Sequence, residues 1–353
     1  MTVYIVIYLL IFISSVFLYA KDFDKKKAVR IISAVSFVLL TAMFALRHPS
    51  MGVDLGYGGD YGYLWSFSDI AGFSWKEAFV LQVQNYERGY ILFNKLISVF
   101  SDNQQVFLGV VAFAGLLPIF YTIQKKMTHP DLAIYIFMGL PCFLMFFSGV
   151  RQAIAIGICF YAIQYIMDRK LIKFLITVLI ATLFHTSAWV FLLAYPIYYI
   201  PMTKARRMLS YAIIPIIYVF RYPLFVIFSV LFKENAVPDN NSAFTLFFVF
   251  TLVYVFCGLF SDESEQTAGL KNIFFVACCI QALGGVYSTV MRVGYYFMVA
   301  LVLLLPLLVV KQTNKRNARI IKRVVTVCFV LFGLYSLYNG SWAQSNPYRW
   351  FWR

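Results

Sequence analysis

Long apolar runs broken by short cationic clusters set the rhythm of this chain. Stretches suited to membrane-length helices lie near 3–20, 28–46, 104–123, 132–149, 151–167, 171–184, 187–200, 208–232, 243–260, 272–289, 293–310 and 324–340. A helix of roughly 20 apolar residues crosses the hydrocarbon core of a bilayer, so each run predicts one crossing. Between the runs stand Lys21 to Arg30, Lys125 with Lys126, the group Arg169, Lys170 and Lys173, the group Lys204, Arg206 and Arg207, and Lys311 to Arg323. An even number of crossings separates each cluster from the next, which gathers them all, with Lys271, on the cytoplasmic side and leaves both termini outside. The expected fold is an all-α polytopic integral membrane protein of about twelve transmembrane helices, within a range of about 10–13. Residues 1–353 form a single transmembrane domain in this reading, and the opening run is expected to be a retained first span.

Two segments strain the scheme. The apolar stretch 171–200 is long for one upright span and short for two; parity favours two, as a short helical hairpin turning at Phe184, His185, Thr186 and Ser187. Between the second and third spans, 47–103 reads as an extracytoplasmic loop, with a re-entrant or interfacial amphipathic helix near 86–100 that would break the parity if it crossed.

Composition sharpens the class. With 62% apolar and only 13% charged residues, the chain lacks the solvated surface of a water-soluble globule. The formal charge of +15 comes with clusters placed at span ends, so it points to membrane topology and not to nucleic acid. The six cysteines fall inside apolar runs without metal-type spacing and read as buried small hydrophobes. No HExxH, Walker A or GxSxG motif is present, and neither a metal nor a cofactor is expected.

The remaining cations carry the chemistry. Arg47, Lys76, Arg88, Lys95, Arg151, Lys233, Arg292, Arg349 and Arg353 fall on the outer side, against the usual asymmetry, and call for anionic partners. Arg151 opens an apolar helix, where free backbone N–H groups and a guanidinium together suit a phosphate-like group. Arg292 presents the same choice. The Gly- and Tyr-rich loop after Asp54 offers flat faces at Tyr57, Tyr61, Tyr63 and Trp65, which suit either sugar rings or a membrane interface. Glu87, Tyr90 and Asn94 recur at helical spacing on the 86–100 segment and predict a polar stripe, beside a second one at Arg88 and Lys95. His185 is either a proton acceptor or a hydrogen-bonded turn residue.

Taken in order, Arg47 with Gly52-Val53-Asp54, Glu87-Arg88-Gly89-Tyr90 with Asn94, Gly149-Val150-Arg151-Gln152, Phe184-His185-Thr186-Ser187, Arg292 with Tyr295-Tyr296-Phe297, and Asn346-Pro347-Tyr348 resemble the EpsG-type, Wzy-like polysaccharide polymerases. The resemblance implies a multi-pass protein of the bacterial cytoplasmic (inner) membrane with its active site on the extracytoplasmic side. It implies polymerisation of undecaprenyl-diphosphate-linked oligosaccharide repeat units for O-antigen, capsule or exopolysaccharide. Its partners would be the lipid-linked donor and acceptor glycans, membrane lipid and a chain-length regulator protein. On that basis Arg151, Arg292, Arg47 and Arg88 are expected to bind diphosphate, and Glu87, Asp54 or His185 to act on the acceptor hydroxyl. Tyr61, Tyr63, Trp65, Tyr90, Asn94, Tyr295 and Tyr348 are expected to contact sugar. A lipid-linked oligosaccharide flippase, or another outer-face transferase such as an O-antigen ligase, is the rival reading.

Overall fold

The computed structural model describes residues 1–20, 23–58, 61–232, 244–260, 264–286 and 288–352; Lys233 and Arg353 lie outside them. Helices follow in the order α1 (Thr2–Ala20), α2 (Lys25–Ala45), α3 (Tyr63–Gly72), α4 (Trp75–Val80), α5 (Arg88–Phe100), α6 (Gln104–Lys126), α7 (Pro130–Gly139), α8 (Val150–Met167) and α9 (Leu171–Thr182). They continue with α10 (Ala194–Tyr198), α11 (Lys204–Val219), α12 (Arg221–Phe232), α13 (Phe244–Leu259), α14 (Glu265–Leu283), α15 (Ser288–Met298), α16 (Leu301–Val310) and α17 (Lys315–Asn339). Short 3₁₀ turns at Val53–Leu55, Pro141–Phe146, Thr186–Leu193 and Ser341–Ala343 link them, and no strand occurs among the described residues. The all-helical class is therefore as expected.

Among the described residues, six segments are long and apolar enough to cross a membrane: Thr2–Tyr19, Lys25–Ala45, Gln104–Lys126, Val150–Met167, Val290–Val310 and Lys315–Asn339. Joining Lys204–Val219 to Arg221–Ile227, across a bend of 75°, makes a seventh. Other expected spans are shorter or broken. The run 132–149 yields only the ten residues of α7 before Leu140-Pro141 ends the helix in a 3₁₀ turn, because a proline denies the residue before it helical geometry. The stretch 171–200 forms short helical segments, α9 and then a 3₁₀ turn from Thr186 that leads into α10. Lys271, expected in a cytoplasmic loop, is instead buried within α14.

The chain divides into two compact units, Met1–Trp189 with Lys322–Arg353, and Val190–Ile321. In the first unit α6 and α8 touch backbone to backbone: a methyl on Gly157 would stand 2.3 Å from the Gly115 carbonyl oxygen. Small residues let apolar helices approach this closely, where dispersion gains are largest and no hydrophobic effect against lipid is available. α7 meets α17 in the same way, through Gly139 against Phe329. Outer faces stay apolar, with Ile5, Leu9, Phe12, Val16 and Phe17 exposed along α1, as lipid requires. In the second unit α14 is the centre, packed by α10, α11, α13, α15 and α16. Asn272 of α14 donates to the carbonyls of Ile197 and Ile200 at 3.1 and 2.7 Å and so fixes the end of α10.

The 47–103 segment holds more structure than expected. Besides α5 it folds α3 and α4; Leu64, Phe67 and Ile70 of α3 and Ala78 of α4 join Ile91 and Phe107 in one buried cluster. Arg88 donates from Nη1 to the carbonyls of Ala78 (3.2 Å) and Leu81 (2.6 Å), and Lys95 donates to the Ala71 carbonyl (3.0 Å). Each cation thus closes the C-terminal end of a short helix, where orphan carbonyls and the helix dipole favour positive charge.

Candidate active site

The site is assembled at one end of the first unit from four chain segments. α8 begins after Gly149, and its second residue, Arg151, turns toward the start of α3 and the N-cap of α5. Arg151 Nη1 forms an ion pair with Glu87, and both side chains are largely buried, 14% and 12% exposed. Its Nε donates to the Tyr63 hydroxyl at 3.2 Å. The guanidinium carbon lies 4.3 Å from the centre of the Tyr86 ring, with Tyr63 and Tyr90 at 5.6 and 5.9 Å. Three aromatic rings around a cation both attract it and exclude water. They leave Nη2 without an acceptor among the described residues.

Glu87 is held from the other side by the turn after α9. Its second carboxylate oxygen accepts from the Thr186 backbone N–H at 2.7 Å and the Thr186 hydroxyl at 2.9 Å. Burial on its own would raise this carboxyl, but the Thr186 N–H and the charge of Arg151 outweigh it and hold the pKa below the ordinary glutamate value. Tyr63 goes the other way: burial pushes its phenol up to about 12 against the pull of Arg151, so it stays a neutral hydroxyl. The approach of α5 to the turn depends on Gly89, where a methyl would lie 2.5 Å from Leu183 Cβ and 2.7 Å from the Leu183 oxygen. The Tyr90 N–H donates to that same oxygen at 3.0 Å.

Asp54 and His185 border this pair. Asp54 sits half-buried in the 3₁₀ turn Val53–Leu55, and its backbone N–H donates to Ser148 Oγ at 3.1 Å. Its charge reaches both Tyr63 and Tyr86. Gly52 makes the turn possible: its φ is +128°, and a methyl there would stand 1.9 Å from the Phe147 carbonyl oxygen. His185 is half-buried one residue before Thr186, its Nδ1 accepting from the Ser187 N–H at 3.3 Å and lying 2.7 Å from Ser187 Oγ. An accepting Nδ1 leaves the proton on Nε2.

The chain matches the EpsG family over residues 30–350. It belongs to that family. EpsG proteins are Wzy-like polysaccharide polymerases, so the chain has a polysaccharide polymerase-type role in polysaccharide biosynthesis, of glycosyltransferase-like character, in a multi-pass membrane protein. Neither the curated proteins nor the solved structures contain a match to it.

The other motif residues of this EpsG protein occupy varied positions. Arg47 is fully buried, donating from Nη1 to the Phe146 carbonyl at 2.7 Å with its guanidinium carbon 5.3 Å from the Phe147 ring centre. Tyr348 packs edge-on against Tyr4 and donates to the Met43 carbonyl at 2.7 Å. The polar stripe expected on α5 is corrected by its burial: Tyr90 and Asn94 point into the helix cluster and are fully buried, while the exposed face carries Leu96, Val99 and Phe100. Tyr63, expected in an open loop, is likewise buried on α3, whereas Tyr61 and Trp65 remain exposed. Tyr61 donates to Asp69 at 2.6 Å and Trp65 Nε1 to the Gly56 carbonyl at 3.0 Å. On α15 of the second unit Arg292 is exposed and Tyr295 buried.

Tyr86 and Ser148 are not among the residues expected at the site, and Thr186, expected only as a turn residue, holds Glu87. Tyr86 was within reach, because it precedes Glu87 in a Tyr-Glu-Arg-Gly-Tyr string that places aromatic rings on both sides of the acid. The missed helix α3 also left a signal, apolar residues at Leu64, Phe67 and Ile70 ahead of Gly72. Among the described residues no three His, Cys, Asp or Glu side chains gather as a metal would require.

Proposed function

We propose that this protein joins oligosaccharide repeat units carried on undecaprenyl diphosphate at the extracytoplasmic face of the bacterial cytoplasmic membrane, with Arg151 receiving the leaving diphosphate. The observation that carries the reading is the Arg151 guanidinium at the N-terminus of α8, ringed by tyrosines and braced by Glu87. In the reaction the bond between the donor's anomeric carbon and the diphosphate oxygen breaks, and the acceptor hydroxyl oxygen forms the new bond to that carbon. Negative charge then grows on the diphosphate. A preorganised guanidinium at a helix N-terminus lowers the energy of that charge most where water is scarce. No metal is required in this scheme, because the guanidinium supplies the positive charge.

The acceptor proton goes to Asp54. Glu87 has both oxygens engaged and a lowered pKa, so it serves as the brace that orients Arg151, while the charge of Asp54 reaches Tyr63 and Tyr86 and its carboxylate has no hydrogen bond or ion pair among the described residues. His185 positions the turn that carries Thr186. Exposed Tyr61 and Trp65 offer sugar-stacking faces. Arg47 and Arg88 hold the surrounding loop and helices in place, and Arg292 enters on its sequence motif alone. Counting the bent pair as one crossing and adding the four shorter apolar helices and α14 to the six long segments returns the proposed number of about twelve crossings, and the cation asymmetry then places the α8 N-terminus outside.

The test is the glycan ladder made in a deletion strain complemented with Arg151→Lys, Arg151→Ala, Asp54→Asn or Arg292→Ala. Lysine keeps the charge but loses the planar fork, so both Arg151 variants should leave a single repeat unit on the acceptor at normal membrane levels of the protein. Full-length polymer from Arg151→Ala would refute the diphosphate role. Loss of all surface glycan, with intermediates trapped inside, would assign the protein to transport of the lipid-linked unit.

A further inference from the structure

The opposite end of the first unit holds a concentration of charge that polymerisation does not use. α2 runs away from Arg47 to this end, and so does α6, whose Gln105 donates to the Arg47 carbonyl at 3.0 Å at its start and whose last turn carries Lys125. Between the ends of α1 and α6 and the beginnings of α2 and α7 lies an open cavity of about 740 Å³. Lys25, Lys26, Arg30 and Lys125 line it together with Tyr19 and Tyr121, and among the described residues no Asp or Glu does.

Among the described residues, the nearby acids Asp24, Asp131 and Asp168 are already engaged. Asp24 accepts from the Lys26 backbone N–H at 2.8 Å. Asp131 pairs with Lys322 at 2.8 Å and accepts from the Tyr19 hydroxyl at 3.2 Å, and Asp168 pairs with Lys126 at 3.0 Å. Among the described residues the side chains of Lys25, Lys26 and Arg30 have no hydrogen bond or ion pair. Lys25, Lys26 and Lys27 also fill the first turn of α2, where the helix dipole already places about half a positive charge. Cations there repel the helix end as well as one another. An anion seated among them relieves both, and the cavity provides the volume.

We propose that this cavity binds a phosphate-bearing anion, either the headgroup of an anionic membrane phospholipid or a free diphosphate, at the end of the helix bundle opposite Arg151. A basic pocket between membrane helices is a recognised seat for anionic headgroups, and each cation near the surface strengthens retention about fivefold. The proposal is independent of the polymerase reading, because it concerns neither Arg151 nor the glycan.

The experiment compares full-length wild type, a K25Q/K26Q/R30Q/K125Q variant, a milder R30Q/K125Q variant, and a K315Q/R316Q/R319Q control that removes surface cations from α17. Each is purified in detergent, titrated with phosphatidylglycerol or phosphatidylcholine, and read by native mass spectrometry for retained lipid and by its melting temperature. Wild type and control should retain phosphatidylglycerol in preference to phosphatidylcholine. The milder variant should bind about 25-fold more weakly, two factors of about five, and the fourfold variant should lose the preference. Equal retention by control and cavity variants, or no lipid preference in wild type, would overturn the proposal. Sodium diphosphate distinguishes the sources: displacement of the lipid at submillimolar concentration shows that the free anion suffices, and lipid retention unaffected by it identifies the headgroup as the ligand.

Discussion

Arg151 and Glu87 stand 64 residues apart in the chain and form an ion pair that ties the first turn of α8 to the N-cap of α5. Thr186 closes the arrangement from a third segment, 99 residues from Glu87. The pair is shielded but not sealed, so it can hold its geometry and still meet a charged substrate group.

Glu87→Gln should weaken the fold and the reaction together. Gln keeps a hydrogen-bond acceptor for Thr186 and removes the counter-charge of Arg151, which should cost about 1–3 kcal/mol in a site this buried. A double-mutant cycle of Glu87→Gln with Arg151→Met, read by thermal unfolding in detergent, should return a coupling of the same order. Strict additivity would remove the pair from any structural role.

The pH dependence of that contribution has a definite sign. A carboxyl whose pKa is lower in the folded state stabilises the fold above its unfolded pKa, and the contribution is lost as pH falls through the folded value. Wild type should therefore melt above Glu87→Gln at neutral pH, with the gap closing only once the pH drops below the ordinary glutamate value of 4.5. A gap that closed between pH 6 and 7 would contradict the lowered pKa.

Three glycines should respond differently to a methyl group. Gly157→Ala drives Cβ to 2.3 Å from the Gly115 oxygen, and Gly89→Ala drives it to 2.5 Å from Leu183 Cβ. Each should destabilise by about 1–3 kcal/mol, and Gly89→Ala should also shorten the polymer because it shifts the N-cap that carries Glu87. Gly72, with nothing within 4 Å of its Cβ position, should accept alanine with a change between zero and about 1 kcal/mol of stabilisation. Melting temperatures of the three variants check this order.

Arg88→Gln should act as the loss of a helix cap. Its guanidinium closes the end of α4, so about 0.3–2 kcal/mol of stability should go. Polymer length per folded molecule should change far less than in Arg151→Ala, as measured on glycan ladders normalised to membrane protein level.

Incubation with EDTA should leave the polymerisation rate unchanged, since the proposed charge stabilisation comes from arginine. Inhibition by EDTA that Mg²⁺ or Mn²⁺ reversed would show that a cation shares the diphosphate.

The helical segments were legible in the sequence because an apolar run in lipid has few alternatives: its backbone groups must be paired within the segment. That constraint is local, and α1, α2, α6 and α8 start and stop within a few residues of their apolar runs, while α17 ends with its run but starts nine residues earlier, in the cationic cluster. The motifs around Arg151, Glu87 and Asp54 were likewise visible as residue strings. Partner choice was not. Whether a polar residue on an amphipathic helix faces water or the interior depends on what packs beside it, and so Asn94 and Tyr90 face inward, Lys271 is enclosed in α14, and Arg88 is drawn to the end of α4, a helix with no clear apolar period. Composition by itself determined a helical membrane protein with surplus cations at its span ends. Only the tertiary structure decided that Arg151 meets Glu87 within a ring of tyrosines, because that meeting rests on contacts between segments far apart in the chain, and no local pattern encodes them.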